Sequence, residues 1–126
     1  LCPTEREARI AIGAQDEGVE WVANTLMIQT NSKNLVMKLG REGFIAYKSE
    51  TDGFVNRQHY LALSINPVDV SGAGDSLLAA LSVGLCSGAT LMQSSAIGVG
   101  MAALAVQQIG NIPVANHQLK NYLIQI

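Results

Sequence analysis

Val68-Asp69-Val70-Ser71-Gly72-Ala73-Gly74-Asp75-Ser76 sets two acids and two glycines just ahead of a long charge-free run. Gly72-Ala73-Gly74 precedes a predicted helix start. The first backbone N–H groups of a helix lack internal partners, and the helix dipole adds partial positive charge there. Two glycines let a phosphate approach the main chain, so the segment reads as an anion cradle able to neutralise charge on a phosphoryl group in transfer. Asp75 has two readings at this point. It caps the helix, or it takes the proton of a hydroxyl attacking a phosphoryl group held by the loop.

Other glycine-loop chemistries fit the residues less well. A dinucleotide fingerprint needs a third Gly where Leu77 stands, and a Walker loop needs a Lys that is absent after Gly74.

These residues need elements to hold them. Thr4-Glu5-Arg6-Glu7 has the T-x-x-E form of a capping box, which predicts a helix running to about Gly13. A second helix is expected over Val19 to Gln29, with Val19, Val22, Ala23, Leu26 and Met27 on one side. Asn34 to Gly40 reads as an apolar strand, Arg41-Glu42-Gly43 as a turn and Phe44 to Ser49 as the returning strand. A third strand is expected over Asn56 to Leu63, with a break at Asn66-Pro67. Gly72 to Leu85 is the helix that follows the glycine loop. Thr90-Leu91-Met92-Gln93 opens another, expected to reach Gly110, and Asn116 is expected to cap a last helix ending near Leu123. The order is that of an α/β fold.

Composition removes several function classes. Hydrophobic residues make up 48% and charged residues 14%, enough for a core and against disorder. A net charge of −2 leaves no footprint for nucleic acid or an anionic membrane. The charge-free stretch from Ser76 to Leu119 is interrupted by Ser, Gly, Gln and Thr, which favours buried helices over membrane spans. Cys2 and Cys86 lack metal-ligand spacing and read as reduced thiols of a cytoplasmic protein. His59 and His117 are single and read as surface or core residues. The methionines read as core filler, and Trp21 as packing a helix.

Asp69-Val70-Ser71-Gly72-Ala73-Gly74-Asp75-Ser76 resembles the D-[TV]-x-G-A-G-D signature of the ribokinase-like (PfkB) sugar kinases. Lys38-Leu39-Gly40-Arg41-Glu42-Gly43-Phe44 resembles that family's strand–G-x-x-G–strand segment. The stretch from Gly100 to Gly110 resembles its Ala-rich helix, and Cys2 to Ala8 lies where the family has N-x-x-E. The resemblance covers nearly the whole chain. It implies the C-terminal part of a ribokinase-like three-layer α/β/α fold, with residues 1–126 as the nucleotide-binding part of the kinase. It also implies ATP-dependent phosphoryl transfer to a sugar or sugar-phosphate hydroxyl, nearest to the heptose-phosphate kinases. The alternative is a non-catalytic nucleotide-binding or regulatory module, or a structural subunit whose glycine loop is only a turn.

By the same resemblance Asp75 is the catalytic base, and Gly72, Ala73 and Gly74 form the anion hole. Gly40 and Gly43 lie near the nucleotide phosphates, and the segment from Ile97 to Gly110, with Val99, borders the adenine. Glu7 and Thr4 organise Mg²⁺ and its waters, and Asp69 helps bind a monovalent cation such as K⁺. Thr4 departs from the family's Asn, and a hydroxyl replaces an amide there less flexibly. The implied partners are ATP and a sugar or sugar phosphate, without nucleic acid or membrane and with homo-oligomerisation left open. Residue 1 reads as the end of a strand, so the chain is expected to continue upstream. By itself it is expected to be inactive and to expose a sheet edge.

Overall fold

The computed structural model describes residues 1–64 and 67–126, so the expected break at Asn66-Pro67 falls partly outside the described residues. The chain forms two compact units, Leu1–His59 and Tyr60–Ile126.

The first unit begins with α1 (Glu5–Ile12) and α2 (Val19–Thr30). Thr4 caps α1 through the full reciprocal box, and Gly13 ends it in the left-handed conformation. The strands β1 (Asn34–Lys38) and β2 (Phe44–Ser49) follow, joined by a 3-10 turn at Gly40–Glu42. Then comes β3 (Val55–Tyr60), whose last residue begins the second unit. The sheet order is β1-β2-β3, and β1 and β2 are antiparallel with Leu35 opposite Tyr47 and Met37 opposite Ile45. These four side chains share one face by the period-2 rule. They pack with Ala8 of α1 and with Val22, Ala23, Leu26 and Met27 of α2. Burying a side chain of this size contributes about 1.5–3 kcal/mol, so this cluster is the main stabilising feature of the unit.

The first residues run alongside β1 without forming a strand of their own. Val36 N–H donates to the Leu1 carbonyl and Lys38 N–H to the Pro3 carbonyl, each at 2.9 Å, and Thr4 bridges Lys38 in parallel. Two local expectations change. β3 stops at Tyr60 instead of Leu63, and Leu61 and Leu63 lie exposed. Trp21 is 47% exposed, because it points off α2 away from the face of Val22 and Leu26. The buried end of the unit's polar network is Tyr47, whose hydroxyl donates to Glu20 at 3.0 Å while Arg57 pairs the same carboxylate at 3.2 Å.

The second unit contains α3 (Ala73–Cys86), α4 (Leu91–Ala105) and α5 (Asn116–Gln125). α3 and α4 approach closely through small residues. A Cβ at Gly84 would run into the Ser94 side chain, and one at Gly98 would lie 2.6 Å from a Leu77 methyl. Thr90 caps α4 with a reciprocal box to Gln93. Asn116 is the first residue of α5 instead of its cap. The Ala115 N–H is met by the Gln118 side chain, at 2.8 Å. α4 ends at Ala105, five residues before the expected Gly110, for a reason that belongs to the site. Among the described residues no helix is long and apolar enough to cross a membrane.

Candidate functional site

The sequence-derived residues fall in both units. In the second, Gly72 is the N-cap of α3 with φ 76°, a left-handed conformation suited to glycine. Gly74 and Asp75 occupy the second and third positions of the helix. Ala73 N–H donates to the Val70 carbonyl over a long 3.4 Å. Among the described residues the N–H groups of Gly72, Gly74 and Asp75 find no acceptor. These are the orphan donors expected at a helix start. α3 has no side-chain cap, so Asp75 does not cap it. The carboxylate is exposed and accepts no hydrogen bond among the described residues.

Asp69 does different work in the same loop. Its Oδ1 accepts the Ser71 N–H at 2.9 Å, and its Oδ2 accepts the Gly110 N–H at 2.9 Å across 41 residues. Its own N–H donates to the Val106 carbonyl at 3.2 Å, beside a 2.8 Å bond from Val68 N–H to the same oxygen. Had α4 continued, Gly110 N–H would bond to Val106 C=O. Asp69 has taken both halves of that bond, which accounts for the early end of α4. The N–H donors of Ser71 and Gly110 hold the Asp69 carboxyl below its ordinary value.

A lowered native pKa gives stabilisation that is complete above the ordinary carboxylate value and lost as pH falls through the lowered one. The Gly110 and Ser71 amides are therefore expected to exchange faster as pH drops through that acid range. The measurement is amide exchange corrected for its intrinsic pH dependence. Protection at Gly110 that ignores Asp69 protonation would contradict the assignment.

Val99 lies on the buried side of α4 with 9% of its surface accessible, while Ile97, 39% exposed, and Ile109, 77% exposed, are open apolar side chains of the Ile97–Gly110 stretch. Sequence reasoning missed Asn111. Its side chain lies against Gly72, so that a Cβ on Gly72 would collide with its carboxamide. Nothing local in the sequence signals this contact. The Asp69-x-Ser71 spacing, by contrast, is that of an Asx turn and was readable.

In the first unit Thr4 N–H donates to Glu7 Oε2 at 2.7 Å, and Glu7 N–H donates to Thr4 Oγ1 at 3.1 Å. The Thr4 hydrogen bonds hold the exposed Glu7 carboxyl below its ordinary value. Glu7 Oε1 accepts no hydrogen bond among the described residues, so one oxygen remains for a metal-bound water. Among the described residues no three His, Cys, Asp or Glu come together as a metal-holding set. Mg²⁺ keeps several waters and takes one or two carboxylates plus substrate phosphates, so Glu7 with Thr4 fits an outer-sphere role. Gly40 and Gly43 flank the turn between β1 and β2 with φ 64° and 86°, and the Gly43 N–H donates to Gly40 C=O at 3.2 Å.

The chain is 27% identical to the bifunctional protein HldE of Desulfatibacillum aliphaticivorans over 98% of its length and 25% of that protein. It superposes on a ribokinase from Thermotoga maritima with TM-score 0.83 and 25% identity, covering 98% of this chain and 41% of that one. It matches an Arabidopsis thaliana ribokinase complexed with ribose and ATP with TM-score 0.78 and 23% identity, covering 98% and 40%. The chain thus spans about a quarter of the length of such curated relatives, and its fold is part of a ribokinase-like α/β fold. The profile of the pfkB family carbohydrate kinases matches residues 1–118, and the chain belongs to that family.

Proposed function

We propose that this chain supplies the phosphoryl-handling part of an ATP-dependent carbohydrate kinase. The observation that carries the reading is the Asp75 carboxylate, free of any cap or partner among the described residues, one residue from the unpaired Gly74 N–H. Asp75 removes the proton from a sugar hydroxyl as its oxygen bonds to the γ-phosphorus. The bond from that phosphorus to the bridging oxygen breaks, and ADP leaves. The N–H groups of Gly72 and Gly74 meet the charge on the phosphoryl oxygens, and Ala73, held only weakly, can turn to join them. When bound, Mg²⁺ neutralises phosphate charge. Glu7 and Thr4 would hold it through its waters. Gly40, Gly43 and the Ile97–Gly110 stretch are proposed to contact the nucleotide. The Asp69 turn is proposed as the place for a monovalent cation such as K⁺.

The proposed acceptor is a sugar phosphate of the heptose class, on the sequence resemblance stated above. The test is sugar-dependent ADP release by the full-length protein, assayed over pentoses, hexoses and heptose phosphates with Mg²⁺. Release with at least one of them is expected. ATP binding with no release on any sugar would replace the kinase with a nucleotide-binding regulatory module. The 126-residue chain alone is expected to release none.

A further inference from the structure

We propose that Asn111 is a positioning residue for the glycine loop, holding Gly72 in the left-handed conformation that begins α3. The inference rests on the phosphoryl-transfer reading but concerns a residue outside the loop and its signature. Gly72 has φ 76°, and the position its missing Cβ would occupy is filled by the Asn111 side chain, with the Asn111 Cβ 3.3 Å away. Asn111 therefore presses on the one face of Gly72 that any other residue would need. It is held there through its neighbour. Gly110, itself at φ 84°, gives its N–H to Asp69 Oδ2, and Asp69 Oδ1 takes the N–H of Ser71, next to Gly72. The contacts close a ring: Asp69 to Ser71, Gly72 to Asn111, Gly110 back to Asp69.

A ring fastened at two points restrains the loop more than either contact alone. The Asp69 carboxylate fixes where the connector after α4 runs. The Asn111 side chain then limits which conformers Gly72 can visit. Glycine is the residue with most such conformers to lose, and a donor aimed at a phosphoryl group must be held within a fraction of an ångström. Asn111 is proposed to act on the loop and not on a reacting atom. Its effect passes through the Gly72 backbone.

The test uses the full-length protein and two independent readouts. In the ligand-free state, Asn111→Ala is expected to speed amide exchange about tenfold at Ser71 and Ser76, whose N–H groups donate to Asp69 Oδ1 and to the Gly72 carbonyl, by freeing the loop to open locally. Asn111→Asp keeps the shape of the side chain and is expected to exchange like the wild type. With sugar and ATP–Mg²⁺, Asn111→Ala is expected to lower kcat about tenfold while the sugar KM stays within about twofold, the mark of an interaction realised in the transition state. Should Asn111→Ala fail to fold, Asn111→Ser removes the same carboxamide and carries the same expectation. Unchanged exchange at Ser71 and Ser76 overturns the proposal whatever the kinetics. A wild-type protein that turns over no sugar removes the kinase reading alone, and the exchange readout still decides the role of Asn111.

Discussion

Asp75→Asn in the full-length protein is expected to lower kcat by about a hundredfold to ten-thousandfold, the range for loss of a positioned general base. The apparent affinity for ATP–Mg²⁺ is expected to stay within about threefold, because the residue proposed to act on the acceptor hydroxyl is not proposed to hold the nucleotide. Stability separates this outcome from the capping alternative. α3 takes Gly72 as its N-cap and has no side-chain cap, and Asp75 accepts no hydrogen bond among the described residues. Asparagine has the same shape and leaves nothing unpaired. Unfolding free energy is then expected to change by about 0.5 kcal/mol or less, as for other exposed positions. Because Asn caps a helix as well as Asp, a capping Asp would show itself in Asp75→Ala, with a stability loss of about 1 kcal/mol and full turnover. Steady-state kinetics and denaturant unfolding on the same preparation decide between them. Undiminished kcat would remove Asp75 from the chemistry.

What could be read from the sequence follows the range of the interactions involved. Both T-x-x-[EQ] boxes are visible because cap and partner are three residues apart, and Thr4–Glu7 and Thr90–Gln93 close as expected. The β1–turn–β2 hairpin is local in the same sense, and the α2 face of Val22, Ala23, Leu26 and Met27 follows helical period. The helix after the glycine loop starts within one residue of its expected place. The end of α4 was not legible. Val106-Gln107-Gln108-Ile109-Gly110 carries an apolar pattern that a helix could use, and Gly110 is a good terminator. The competing bonds come from Asp69, which takes the Gly110 N–H and gives its own N–H to Val106. A side chain 41 residues away outweighs local propensity, and no windowed pattern contains it. Asn111 against Gly72 is hidden for the same reason. In the glycine loop itself, residue types suggested an anion site, but spacing alone left cap and base equally open for Asp75. The unused carboxylate is a fact of three dimensions.

Gly72→Ala carries the second large expected effect. The backbone at Gly72 has φ 76°, where an L residue costs about 1–2 kcal/mol. The new methyl also collides with the Asn111 carboxamide, which must be displaced from its place against residue 72. The stability loss by denaturant unfolding is therefore expected to exceed the backbone cost of about 1–2 kcal/mol. Turnover is expected to fall further, about a hundredfold, because a shift of the order of an ångström in a group that positions the reacting phosphoryl costs that much. The double variant Gly72→Ala with Asn111→Ala distinguishes the two sources. Removing Asn111 relieves the collision and leaves the strained φ, so the double variant is expected to be more stable than Gly72→Ala alone yet less stable than the wild type. The two substitutions touch each other and should be strongly non-additive. Turnover in the double variant is expected to remain low, since neither the left-handed glycine nor the side chain that holds it is then present. A Gly72→Ala protein with wild-type stability and wild-type kcat would mean that the loop does not need its glycine. The Gly72 N–H would then have no part in holding the migrating phosphoryl group.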